Sequence, residues 1–233
     1  ETDFFADNNI DYWRPLVSMD NPVEINEILF EYFLEKFELT ADENAWAVHQ
    51  GLKAMGTYYE TLQNEGAKII NDLILQNKMG VLLVGHPYHH DPGLNHKILE
   101  KFQLKGFPVL CIESLPDSDS FIKPLFENSN KEKSFDITDV WWRNFNRNTN
   151  LKVMAARVAA RHPNLAVIDL SSFKCGHDAP TYSYIDNILD ASATPHFLFH
   201  DIDQNKPGAT FNIRIETIEY FLKHEEEMLK GKK

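Results

Sequence analysis

At 233 residues, with 43% hydrophobic and 12% aromatic side chains, the chain is long enough to bury a real core as one large domain or one domain with an extension. A formal charge of −12, with no clustered Lys and Arg, argues against general nucleic-acid binding, which depends on phosphate neutralisation. No apolar run reaches the roughly 18 residues of a membrane span, and no secretory signal pattern opens at Glu1. Two distant cysteines, Cys111 and Cys175, make no disulfide framework, so the expected setting is a reducing cytoplasm. A chain that starts at Glu rather than Met is expected to be a piece of a longer protein.

Residues 1–24 carry aromatics without a period and read as an irregular arm covering the core. Residues 26–37 place Ile28, Leu29, Phe30, Phe33 and Phe37 near helical spacing. Thr40-Ala-Asp-Glu43 has the form of a capping box, opening a second helix over about 42–77 in which Gly51, Gly56 and Gly66 allow a bend. From Gly80 the pattern changes to short apolar runs alternating with helical stretches. The runs are 81–84, 107–113, 165–170 and 196–200; the helices are 95–105, 119–128, 139–161, 181–191 and 213–229. Continuous rather than alternating apolar runs indicate strands buried on both faces, as in parallel sheets. The expectation is a doubly wound, Rossmann-like α/β domain over 80–233, with a mainly parallel four-stranded sheet. Residues 1–79 are expected to form an arm and helices packing on that core.

Parallel strands bring their carboxyl ends to one edge, where open α/β sheets bind ligands. The first strand delivers His86, Tyr88, His89, His90, Asp91 and His96; the second, Glu113 and Ser114. The third delivers Ser171, Ser172, Lys174, Cys175, Gly176, His177 and Asp178; the fourth, His200, Asp201 and Asp203. Six of ten histidines, at 86, 89, 90, 96, 177 and 200, fall on this edge, which makes it the expected site. His86, His89, His90 and His177 are candidates for acid–base catalysis or metal ligation. The alternative is that several of them hydrogen-bond the backbone of a tight loop. Cys175 lies in a strand-to-helix turn, where a helix N-terminus lowers a thiol pKa, with Gly176 giving close backbone approach and Asp178 tuning the thiolate or capping the next helix. Cys111, inside an apolar strand, reads as a small core residue. Trp141, Trp142 and Phe145 read as core or interface, and Met154, Val158 and the alanines between them as a packed helix face.

Three segments together resemble the 2-hydroxyacyl-CoA dehydratase group. They are Gly85-His-Pro-Tyr-His-His-Asp-Pro-Gly-Leu-Asn-His96, Pro108-Val-Leu with Ser114-Leu-Pro116, and Asp169-Leu-Ser-Ser-Phe-Lys-Cys-Gly-His-Asp-Ala179. More narrowly, they are similar to the dehydratase-like portion of CoA-substrate-specific enzyme activases, related to the activator of (R)-2-hydroxyglutaryl-CoA dehydratase. The resemblance covers about residues 80–220, and the first 79 add little to it. It implies Rossmann-like domains, a [4Fe–4S] cluster held by cysteines, and reductive chemistry on an acyl-CoA fed by an ATP-driven partner. Carried onto this chain, it makes Cys175 the cluster ligand, with Gly176 and Asp178 beside the cofactor. Position 177 is His where the family often has Pro, and the activase ATPase motifs are not visible. The resemblance therefore implies a fragment inactive alone, whose partners are other domains or a dehydratase or activase chain, and acyl-CoA. Two other readings stay open: a partner- or ligand-binding domain that has lost its cluster, and a metal-dependent hydrolase using the rim histidines and carboxylates.

Overall fold

The computed structural model describes residues 2–19, 21–126, 137–144, 146–172, 176, 178–202 and 209–231. The chain gathers into two compact units, Glu1–Glu60 and Thr61–Lys233.

In the first unit the arm is partly helical, as α1 (Thr2–Asp7), and the next helix starts earlier than the periodicity indicates, as α2 (Pro22–Phe37). Asn21 sets that start. Its side-chain oxygen accepts from the N–H groups of Val23 and Glu24, and Pro22 occupies a first-turn position that needs no donor. Trp13 packs edge-on to Phe33 and Phe37, so the arm's aromatics have a local purpose. The expected capping box is present. The Thr40 N–H donates to Glu43 Oε2 at 2.9 Å, and the Glu43 N–H donates to Thr40 Oγ1 at 3.3 Å. The helix it opens, α3 (Ala41–Gln76), runs 36 residues without a break at any of its three glycines.

The second unit is built on a four-stranded, wholly parallel sheet of order β2-β1-β3-β4, with β1 (Gly80–Val84), β2 (Val109–Cys111), β3 (Leu165–Leu170) and β4 (His196–Phe199). Side-chain alternation divides its apolar residues between two cores. Leu82, Val84, Leu110, Leu165 and Val167 face one core, together with Ile70 and Leu73 of α3, helix α5 (Asp119–Phe126), α6 (Arg147–Ala159) and α7 (Ala179–Ala191). Val81, Leu83, Ala166, Ile168 and Leu170 face the other, against α4 (Ile98–Leu104) and α8 (Ala209–Gly231). Helices on both faces and the parallel sheet confirm the doubly wound, Rossmann-like expectation.

Two helix starts fall later than expected. His96 and Lys97 have φ of +52° and +58°, which delays α4 to Ile98. Residues 139–144 are turn and irregular, and α6 starts at Arg147 behind Asn146, whose side chain accepts from the Thr149 N–H. Trp141 stacks on Tyr184 while Trp142 is exposed; Phe145 lies outside the described residues. The tightly packed helix face is as expected: Val153 to Ala159 of α6 are all buried.

Candidate functional site

The strand order reverses direction between β1 and β3: the chain leaves β1 towards β2 and leaves β3 towards β4. That is the switch point at which the two carboxyl-end loops part and open sheets hold their ligands. In this molecule the two loops are tied together there by buried charge.

Alternation along β3 puts Asp169 on the same face as Leu165 and Val167, towards α6. Lys152 of α6 meets it in the interior, with Nζ 3.0 Å from Asp169 Oδ1 and 3.3 Å from Asp178 Oδ1. All three side chains are at most 1% exposed. The Lys152–Asp169 contact lacks hydrogen-bond alignment, so it is an ionic attraction rather than a directional bond. Two carboxylates around one ammonium leave acceptor capacity, and neighbouring loops fill it. His86 Nε2 is 2.8 Å from Asp178 Oδ1, and Ser171 Oγ donates to Asp178 Oδ2 at 2.6 Å. Tyr182 donates its hydroxyl to Ser171 Oγ at 2.8 Å and stacks on His200 at 3.9 Å. His200 Nε2 closes the circuit 2.9 Å from Asp169 Oδ2. A carboxylate only accepts, so both histidines carry their proton on Nε2 in these bonds.

The electrostatics follow from this arrangement. Burial works against the Asp178 charge, but the bonds from His86 and Ser171 and the Lys152 charge outweigh it, holding the carboxyl well below the usual range. Burial likewise works against the Lys152 ammonium, and the charges of Asp169 and Asp178 overcome it and raise its pKa. His89 differs. Burial first, then the His86 and Lys152 charges, push it down to about 4. Its Nδ1 accepts from the His86 N–H at 3.0 Å, so the ring is a neutral acceptor that shapes the loop.

The sequence-predicted residues thus divide. His86, Ser171, Asp178 and His200 come together, but inward, as a network fixing the loops. Asp178 heads α7 without a side-chain cap bond, because its oxygens are committed to His86 and Ser171. Asp91 accepts from the N–H groups of Gly93 and Leu94, shaping the turn, and His96 stacks on Phe211. Asp201 pairs with Arg214. Tyr88, half exposed, stacks on His86, and Gly176 is exposed in a turn. Lys174, Cys175, His177 and Asp203 lie outside the described residues. Sequence reasoning missed Lys152, Asp169 and Tyr182. The signal available for the first two was an aspartate inside a fully apolar strand, which demands a buried partner.

On the other side of β1, facing β2, His90 and Glu113 approach with Nε2 3.7 Å from Oε2. His90 lines a cavity of about 250 Å³ with Cys111, which is half-buried rather than a fully enclosed core residue. Ligand atoms of His90, Cys111 and Glu113 lie within 4.8 Å of one another. The 3₁₀ turn at Ile112–Ser114 ends β2 early and turns Glu113 towards His90. Burial raises the Cys111 thiol pKa, partly relieved by Ser114.

Residues 1–115 match the family model described as CoA enzyme activase uncharacterised domain. The match supports a family related to the CoA-substrate-specific enzyme activases. It runs through α3, β1, the His86–His96 loop and β2. It corrects the expected extent of the resemblance, because it includes the first 79 residues that had added little. The Phe173–Ala179 segment falls beyond it. No curated protein and no solved structure matches the chain. Among the described residues, no helix is long and apolar enough to cross a membrane.

Proposed function

We propose that the chain is a domain of a CoA-thioester dehydratase or activase system, with the switch-point edge between β1 and β3 as its working face. The observation that carries this reading is the buried Lys152–Asp169–Asp178 network. It ties the His86 loop, which lies in the family-matched segment, to the segment bearing Gly176, and it holds the edge rigid for a ligand. The network itself is positioning machinery, since its polar atoms are turned inward.

A [4Fe–4S] cluster takes four thiolates as a rule, and the chain has two cysteines, of which Cys111 sits beside His90 and Glu113 across β1. That donor set does not fit a cluster held by this chain alone. In the proposed system other domains supply the remaining thiolates and Cys175 supplies one.

Titration calorimetry of the 233-residue chain with CoA and an acyl-CoA tests the ligand. Saturable binding, weakened at least fivefold by Tyr88→Ala, supports the working edge; no binding, or binding indifferent to Tyr88, overturns it. Iron analysis after anaerobic assembly with the system's other domains tests the cluster. Iron lost in Cys175→Ala supports the assignment, and iron unchanged in that variant removes it.

A further inference from the structure

We propose that His90, Cys111 and Glu113 form a binding site for one divalent transition-metal ion, of which Zn²⁺ fits best. The proposal goes beyond the reading above and does not rest on it. The ligand atoms, an imidazole nitrogen, a thiol sulfur and a carboxylate oxygen, all lie within 4.8 Å of one another. His90 Nε2 and Glu113 Oε2 are 3.7 Å apart. Two ligands of a tetrahedral zinc, each about 2.1 Å from the metal, stand roughly 3.4 Å apart, so the His90–Glu113 pair is already near that spacing, and side-chain rotation brings in the Cys111 sulfur.

Independent observations point to a ligand here. Glu113 Oε2 is buried yet makes no hydrogen bond among the described residues, in contrast to the carboxylate oxygens of Asp178. A buried carboxylate oxygen without a donor is costly unless a cation or another donor faces it. The three residues come from the loop after β1 and from the carboxyl end of the adjacent strand β2 with the turn that follows it, so the backbone brings them together. His90 and Cys111 also line the same cavity of about 250 Å³, which leaves room for a fourth ligand, a water or a substrate atom. Its walls are largely apolar, from Leu62, Ile69, Leu83, Leu99 and Val109. Thiolate, imidazole and carboxylate together select zinc-like borderline ions over Mg²⁺ or Ca²⁺, which take all-oxygen sites. Three protein ligands with one open position is the arrangement of zinc sites that act on a substrate rather than merely hold a fold.

The test uses the 233-residue chain stripped of metal, titrated with Zn²⁺ against a chromogenic chelator and with Co²⁺ followed by absorption. The wild type should take up one equivalent, and Co²⁺ should give a thiolate-to-metal charge-transfer band in the near ultraviolet. Cys111→Ala should abolish that band, His90→Ala and Glu113→Gln should each weaken Zn²⁺ binding at least tenfold, and Cys175→Ala should change neither. His90 is on the partly exposed wall, so its replacement leaves the core intact and reports binding even where Cys111→Ala perturbs packing. Failure of the wild type to bind one equivalent overturns the proposal. So does a charge-transfer band that survives Cys111→Ala or disappears in Cys175→Ala.

Discussion

The two flanks of β1 treat polar residues in opposite ways. Towards β3, Asp178 and His86 are sealed from solvent and bonded to each other, with the Lys152 ammonium 3.3 Å from the same carboxylate. Towards β2, His90 and Glu113 are partly exposed, His90 lines a cavity, and one Glu113 carboxylate oxygen has no donor among the described residues. The same sheet edge therefore carries a finished network and an unfinished one. A finished network holds backbone in place; an unfinished one is ready to receive a ligand.

The sharpest way to break this contrast is Lys152→Met, which leaves Asp169 and Asp178 facing each other without a cation. Removing one member of a buried ion cluster costs about 3–5 kcal/mol, which a urea unfolding curve would register as a large fall in midpoint. A midpoint unchanged from wild type would show that the cluster is not held together by its charges.

Acid should expose the neutral side of the same economy of charge. His89 and His162 are both pushed down to about 4 by burial, so the unfolded chain binds protons that the folded chain refuses. Their stabilising effect is complete above about pH 6.5 and declines as pH falls towards 4, by about 2 kcal/mol for each on reaching pH 5. The Asp178 carboxyl is depressed, so its contribution persists through this window and is lost only in stronger acid, below its ordinary range. Unfolding free energies at pH 7.5 and pH 5 should show the fall, and His162→Gln should remove roughly half of it. A flat profile between those pH values would contradict the burial assigned to both rings.

Gly66 sharpens the β2 flank. A methyl group at this position in α3 would sit 1.8 Å from the Ser114 carbonyl oxygen, a backbone atom that cannot swing away. Gly66→Ala should cost about 1–3 kcal/mol and disturb the cavity wall, measurable as a lower thermal midpoint and weaker zinc binding together. The smallest effect is expected from Cys111→Ala in metal-free protein, about 1 kcal/mol of lost packing. Added zinc should widen that gap by stabilising the wild type alone. An equal zinc response in both proteins would return Cys111 to a packing role.

Much of the fold was legible before any coordinates. Uninterrupted apolar runs marked all four strands, and the Thr40–Glu43 pair marked the start of α3. The early start of α2 hung on Asn21, whose capping bond precedes the hydrophobic period, and the late start of α4 on two left-handed residues, His96 and Lys97. Neither leaves a periodic trace. The site was legible as a place but not as an arrangement. The histidine-rich edge was visible, yet Lys152 resembled a solvated helix lysine, because only the register of β3 shows Asp169 pointing at it. His86 and Asp178 are 92 residues apart, and no local pattern announces their bond.

That separation has a consequence for how the second unit comes together. Lys152, Asp169 and Asp178 lie close in sequence, but Asp178 gains His86 only when β1 has docked beside β3. Any partly assembled state in which the later strands have packed without β1 carries an incompletely solvated carboxylate in its interior, so such states lie high in free energy. Assembly of the sheet should then be all-or-none, and amides of β1 and β3 should exchange with solvent deuterium at a common rate set by one opening event rather than strand by strand.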